Sequence, residues 1–287
     1  MTKYLIINAD DFGILPETNK AIAELYTQKL ITSTSLLAVG NYAREALALA
    51  KRNNISVGVH FAFNSDYDHS RWKAISPAEK VNSFADNDGY FYHETKYFNK
   101  NAKSRQLDLE IENQYKLISE SGVIVDHADS HSGLLYGING RLFFINAFRF
   151  AAKYRLPFRF PKRPGFLSGF FGGNVPPIIK AAHKAIIGFS RLYRVKLIDD
   201  MVSNPYKIKD IPDYNALESY YVDKIRNLKD GVNEVFLHPS YDAPHLNDPE
   251  WKKRVYELEF LNSKAFRNAV EESGAVLCSY DILKTPD

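Results

Sequence analysis

The 287-residue sequence predicts an α/β fold: a distorted, TIM-like (β/α) barrel in a single domain, 1-287. Three observations carry this. Strand-like and helix-like stretches alternate along the chain, the pattern of a parallel sheet with crossover helices. About seven strand-like runs are countable, which favours a barrel over an open doubly wound sheet. No Gly-x-Gly-x-x-Gly follows the first strand, so the dinucleotide site of an open sheet is disfavoured.

The elements follow in order. The first strand, Tyr4-Leu5-Ile6-Ile7, runs into Asn8-Ala9-Asp10-Asp11 before Phe12-Gly13 turns the chain. Ala21, Ile22, Leu25 and Tyr26 recur at helical spacing and predict a helix over 17–29. A β-branched run (31–37), an alanine-rich helix (42–52) and a strand ending at His60 come next. The segment 64–103 is irregular, and Tyr90-Phe91-Tyr92 within it argues for packing rather than disorder. A helix over 107–120 leads to a strand ending at His131, and a helix over 141–154 to Pro157-Phe158-Arg159-Phe160. Residues 161–195 read as an insertion-like segment ending in an amphipathic helix. Its Lys180, Lys184, Arg191 and Arg194 form a solvated face in preference to a membrane-facing one. Helix 217–228 precedes the strand ending at His238, and helix 251–272 precedes the strand 275–280.

Composition excludes several functions. A formal net charge of +3, with no dense Lys/Arg run, disfavours a nucleic-acid partner. No apolar stretch is long enough to span a bilayer, and the N-terminus enters a strand directly, so a cytoplasmic protein without a membrane partner is expected. The single cysteine, Cys278, lies in an apolar run and reads as a buried small hydrophobe, so any metal must take oxygen and nitrogen ligands. Most of the aromatic residues, 14% of the chain, are expected to fill the core.

Four strand tips carry the chemistry. Strands ending at one mouth bring distant residues together. Two carboxylates and several imidazoles gathered there form a metal site with a base beside it. At a strand end closed by glycine the usual alternation can relax, so that Asp10 and Asp11 approach one cleft. Helix capping would explain one of these aspartates, but not both together with distant histidines. In His127-Ala128-Asp129-Ser130-His131 the period of two sends His127, Asp129 and His131 to one face, too costly for an apolar core. Taken singly, His60 reads as a core histidine rather than a ligand, and His238 as a histidine that merely ends its strand. His69, His93, His183 and His245 fall in loop or surface contexts and are not expected to be ligands.

The blocks Asn8-Ala9-Asp10-Asp11-Phe12-Gly13, Gly58-Val59-His60-Phe61, His127-Ala128-Asp129-Ser130-His131 and Leu237-His238-Pro239, with Thr32-Ser33-Thr34-Ser35, resemble the YdjC-like carbohydrate deacetylases. The resemblance implies a distorted (β/α) barrel that removes N-acetyl groups from amino sugars with one divalent metal ion. It implies Asp11, His60 and His131 as metal ligands, Asp10 as catalytic base and His238 as catalytic acid. Arg159 falls at a basic position of the family and is expected to contact a carboxylate or substrate, while His127 and Asp129 would orient ligands or meet substrate. Asp-His-His ligation fits Zn²⁺ and leaves Mg²⁺ open. The chain departs from the family after His131, where Ser132-Gly133-Leu134-Leu135-Tyr136 lacks a further histidine and alters the cleft.

The expected function is therefore a metal-dependent hydrolase acting on an N-acetylated sugar, as a monomer or homodimer. Two alternatives stand beside it: an inactive sugar-binding member of the fold, and another metal-dependent hydrolase such as a phosphoesterase.

Overall fold

A computed structural model describes residues 2–66, 70–137 and 140–284 of the chain. The order is β1 (Lys3–Phe12), α1 (Pro16–Thr27), β2 (Ser33–Leu36), α2 (Ala43–Arg52), β3 (Val57–Phe61), α3 (Ala78–Val81), α4 (Thr95–Asn101), α5 (Ser104–Ser119) and β4 (Val125–Ser130). It continues with α6 (Phe144–Tyr154), α7 (Gly165–Phe170), α8 (Pro177–Leu192), β5 (Asp200–Val202), α9 (Tyr214–Arg226), β6 (Gly231–Leu237), α10 (Trp251–Asn262), α11 (Lys264–Ser273) and β7 (Val276–Leu277).

All the ladders between these strands are parallel, in the order β4-β3-β2-β1-β6-β5, with β7 beside the start of β1. Isolated parallel bridges from Ala128 to Phe158 and from Phe158 to Leu197 carry the pairing on from β4 toward β5. The sheet thus curls round into the expected distorted barrel, with Pro157-Phe158-Arg159-Phe160 as an irregular stave.

The period of two sorts β1 into two environments. Leu5, Ile7 and Ala9 join the main core under the helices, while Ile6 packs inside with Ile198, Met201, Val232 and Tyr280. That apolar plug closes the lower barrel, and polar side chains fill the interior above it. Gly58 has a packing role here: a Cβ on it would stand 2.1 Å from Nε2 of His127, whose ring stacks on Tyr280 with centroids 3.7 Å apart.

Several expectations shift. The helix expected over 251–272 is two helices, because Ser263 adopts extended backbone (φ −75°, ψ 159°) and its hydroxyl accepts from Phe266 N as an N-cap. β4 stops at Ser130, so His131 opens a short 3₁₀ turn beyond the strand. Residues 64–103 hold α3 and α4 on buried Phe63, Phe84, Phe91 and Phe98. Cys278 is half-buried rather than buried. His183, expected near the surface, is buried with Nε2 2.8 Å from Pro161 O. α8 is not purely polar toward solvent, since Ile178 and Leu192 are largely exposed. His69 lies outside the described residues. Among the described residues no helix is long and apolar enough to cross a membrane.

Candidate metal centre

Asp10 and Asp11 are adjacent in β1, yet each has a carboxylate oxygen within 4.8 Å of a His60 ring nitrogen. The β1–β2 register slips between Ala9 and Phe12, and Asp11 sits at φ +67°. A bulge with one left-handed residue re-aims a side chain that would otherwise point to the opposite face. Neither aspartate caps α1: its N-cap is Leu15, with no side-chain bond, and Asn19 Oδ1 accepts from Gly13 N at 2.7 Å.

Asp11 Oδ1 is the centre of the arrangement. His60 Nε2 lies 3.5 Å from it and His131 Nδ1 3.4 Å. This buried oxygen makes no hydrogen bond. Its contacts with the two imidazoles lack hydrogen-bond geometry, and a buried acceptor left so is costly unless something else fills the gap. One ligand atom from each of Asp11, His60 and His131 can be chosen so that all lie within 4.8 Å of one another. One carboxylate oxygen and two ring nitrogens suit a divalent cation. The residues therefore fit the implied ion.

Each imidazole is held from behind. His60 Nδ1 lies 2.7 Å from Asp129 Oδ1, and His131 Nε2 lies 2.7 Å from Asp66 Oδ1. Such carboxylate–histidine pairs fix ring orientation and leave the other nitrogen facing the ligand position. Burial alone lowers the pKa of each ring, but the carboxylates outweigh it. Asp129 and Asp11 push His60 up to about 10, and Asp66 and Asp11 push His131 to about 9. Burial also works against ionisation of Asp11, yet the Arg254 guanidinium, with the two imidazoles, holds it well below the usual range.

Asp10 belongs to a second network. Arg159 NH1 donates to its Oδ2 at 2.8 Å and NH2 to its Oδ1 at 2.6 Å. The same guanidinium reaches Glu234 Oε1 at 2.9 Å and Asp129 Oδ2 at 2.8 Å. Arg159 is thus buried among three carboxylates, which it braces. His127 also stays within the barrel: Asp126 Oδ1 is 2.6 Å from its Nδ1 and Ser35 Oγ 3.1 Å from its Nε2. Asp129 accepts from Ser35 Oγ at 2.6 Å.

His238 stands opposite, with Nε2 3.9 Å from Asp10 Oδ2. Burial lowers its pKa, and the nearby aspartates only partly offset this. Its backbone N–H donates to Glu257 Oε2 at 2.6 Å, and Tyr221 OH donates to Glu257 Oε1 at 2.7 Å.

The structure thus brings Asp10, Asp11, His60, His131 and His238 to one mouth, with Asp129 and Arg159 just beneath and His127 deeper. Sequence reasoning missed Asp66, Glu234, Arg254 and Glu257. Arg254 did leave a signal: it lies on the stripe Trp251, Leu258, Leu261, a charge at an apolar position. Asp66 sits in the irregular segment and left none.

Comparison with known proteins bears on this geometry. A family model described as YdjC-like protein matches residues 4–272. A carbohydrate deacetylase of Thermoanaerobacter pseudethanolicus is 29% identical over 286 residues, covering 98% of this chain and 100% of the relative. One from Xenopus laevis is 26% identical, covering 96% of each. A crystal structure from Enterococcus faecalis, named for cellobiose-phosphate cleavage, superposes with a TM-score of 0.78 at 27% identity, covering 99% of this chain and 100% of that one.

Proposed function

Because the chain belongs to the YdjC-like protein family, we propose that it is a carbohydrate deacetylase hydrolysing the N-acetyl group of an amino sugar with one divalent cation, Zn²⁺ or Mg²⁺. The observation that carries the reading is Asp11 Oδ1, buried without a hydrogen bond and 3.4–3.5 Å from two imidazole nitrogens. Relatives named carbohydrate deacetylase, matched along nearly their whole length, support it.

Asp11, His60 and His131 would hold the ion, which when bound polarises a carbonyl and acidifies water. Asp10 is the base. Its carboxylate, fixed by the Arg159 fork, takes a proton from the water that adds to the acetyl carbon. His238 starts neutral near pH 7 because burial holds its pKa down. It therefore needs a proton before it can act as acid, and Asp10 Oδ2, 3.9 Å from its Nε2, is the nearby source. His238 then protonates the sugar nitrogen as the C–N bond breaks, giving acetate and a free amine.

The test is incubation with N-acetylglucosamine and its β-1,4 disaccharide, assaying acetate and free amine, with chelator-stripped protein as control. Acetate that disappears on stripping and returns with metal is the expected result. Phosphate release from cellobiose-phosphate without acetate would favour a phosphoesterase. Sugar binding with neither product would favour an inactive binding protein.

A further inference from the structure

α10 carries Arg254 to the metal-ligand candidate Asp11. NH2 of Arg254 donates to Asp11 Oδ2 at 2.6 Å. The guanidinium carbon also lies 4.7 Å from the Trp251 ring centroid, one helical turn earlier. The backbone is tied down too, since Arg254 O accepts from Ser240 N at 3.2 Å. Arg254 is thus held at its backbone, its plane and its donor edge. The two oxygens of Asp11 then have different surroundings: Oδ2 is bonded to a cation, and Oδ1 has no hydrogen-bond partner.

We propose that Arg254 is a positioning residue for Asp11: by holding Oδ2, it offers a cation one oxygen only. Carboxylates bind cations through one oxygen or both. A second oxygen on the ion would fill a coordination place that a catalytic site keeps open for water and substrate. The Arg254–Asp11 pair keeps that place open, and the reaction depends on it although Arg254 touches no reacting atom. This rests on the Asp11, His60 and His131 ligand set proposed above.

The test compares wild type with Arg254→Met and Arg254→Lys, each stripped with chelator and reloaded with one equivalent of Co²⁺. Visible absorption of the bound Co²⁺ and kcat for acetate release are both recorded. Arg254→Met is expected to bind Co²⁺ stoichiometrically, with weaker absorption as its coordination number rises, and with kcat reduced about 10–100-fold. Arg254→Lys, which keeps the charge and one donor, is expected between the two and carries the test if the Met variant does not fold. Co²⁺ spectra and kcat matching wild type within about twofold in Arg254→Met would overturn the inference, and where that variant does not fold a match in Arg254→Lys does so. A wild type that takes up no Co²⁺ removes the ligand set and this inference together. A wild type that binds Co²⁺ but releases no acetate removes the deacetylation reading alone, and the spectra then decide.

Discussion

Arg159 and Asp10, 149 residues apart, form a two-pronged ion pair inside the barrel, with N···O distances of 2.8 and 2.6 Å. Such forks fix a carboxylate in orientation as well as charge. Asp10→Asn keeps the shape but removes the proton acceptor. It should lower kcat for acetate release by about 10²–10⁴-fold while bound metal stays at wild-type stoichiometry. Acetate release at the wild-type rate would rule Asp10 out as the base.

Asp66 supports His131 from the irregular segment through a 2.7 Å contact to Nε2. Asp66→Asn weakens that support without touching the proposed ligands. Metal affinity, measured by competition with a chelating dye, should fall about 10–100-fold. An unchanged affinity would mean that His131 is oriented by packing alone, for instance by the Trp72 ring 5.2 Å away.

Metal binding should be in competition with protons. His60 and His131 have pKa values raised from the ordinary 6.5 to about 10 and about 9 in the metal-free protein, so both are imidazolium at neutral pH. Their pairing with carboxylates stabilises the metal-free fold fully below about pH 6.5 and is lost as pH rises through 9 to 10. A cation must displace these protons, so its apparent affinity should rise from pH 6 to pH 8. Calorimetric titrations in buffers of different ionisation enthalpy measure the protons released. Zero release at pH 7 would contradict the ligand set.

Gly58→Ala tests the packed interior. The new methyl would press on His127, whose ring has little room: Tyr280 stacks at 3.7 Å and Asp126 holds Nδ1 at 2.6 Å. Overpacking of this kind costs about 1–3 kcal/mol, occasionally more. The urea midpoint should fall accordingly, with the m-value unchanged. A midpoint equal to wild type would show that the ring can yield.

Legibility in the sequence followed the range of the interactions. β1, β3, β4 and β6 announced themselves as apolar runs ending in polar groups, and the five residues at the mouth were visible from those tips. The break at Ser263 was hidden because Trp251, Leu258, Leu261 and Phe266 keep an apolar rhythm through it, and a serine N-cap is a local signal easily passed over. Asp66 and Glu257 were hidden for another reason. Each acts on elements 19 residues or more away, and periodicity along the chain carries no record of such pairs.

The backbone at Asp11 narrows what this position can become. A side chain able to bind a cation must also tolerate φ +67°, which aspartate and asparagine accept far more readily than longer residues do. Glutamate, chemically an equal partner for a cation, would strain the turn and overshoot the gap beside His60. Conformation and charge thus choose the same amino acid independently, and drift at residue 11 meets two separate barriers rather than one.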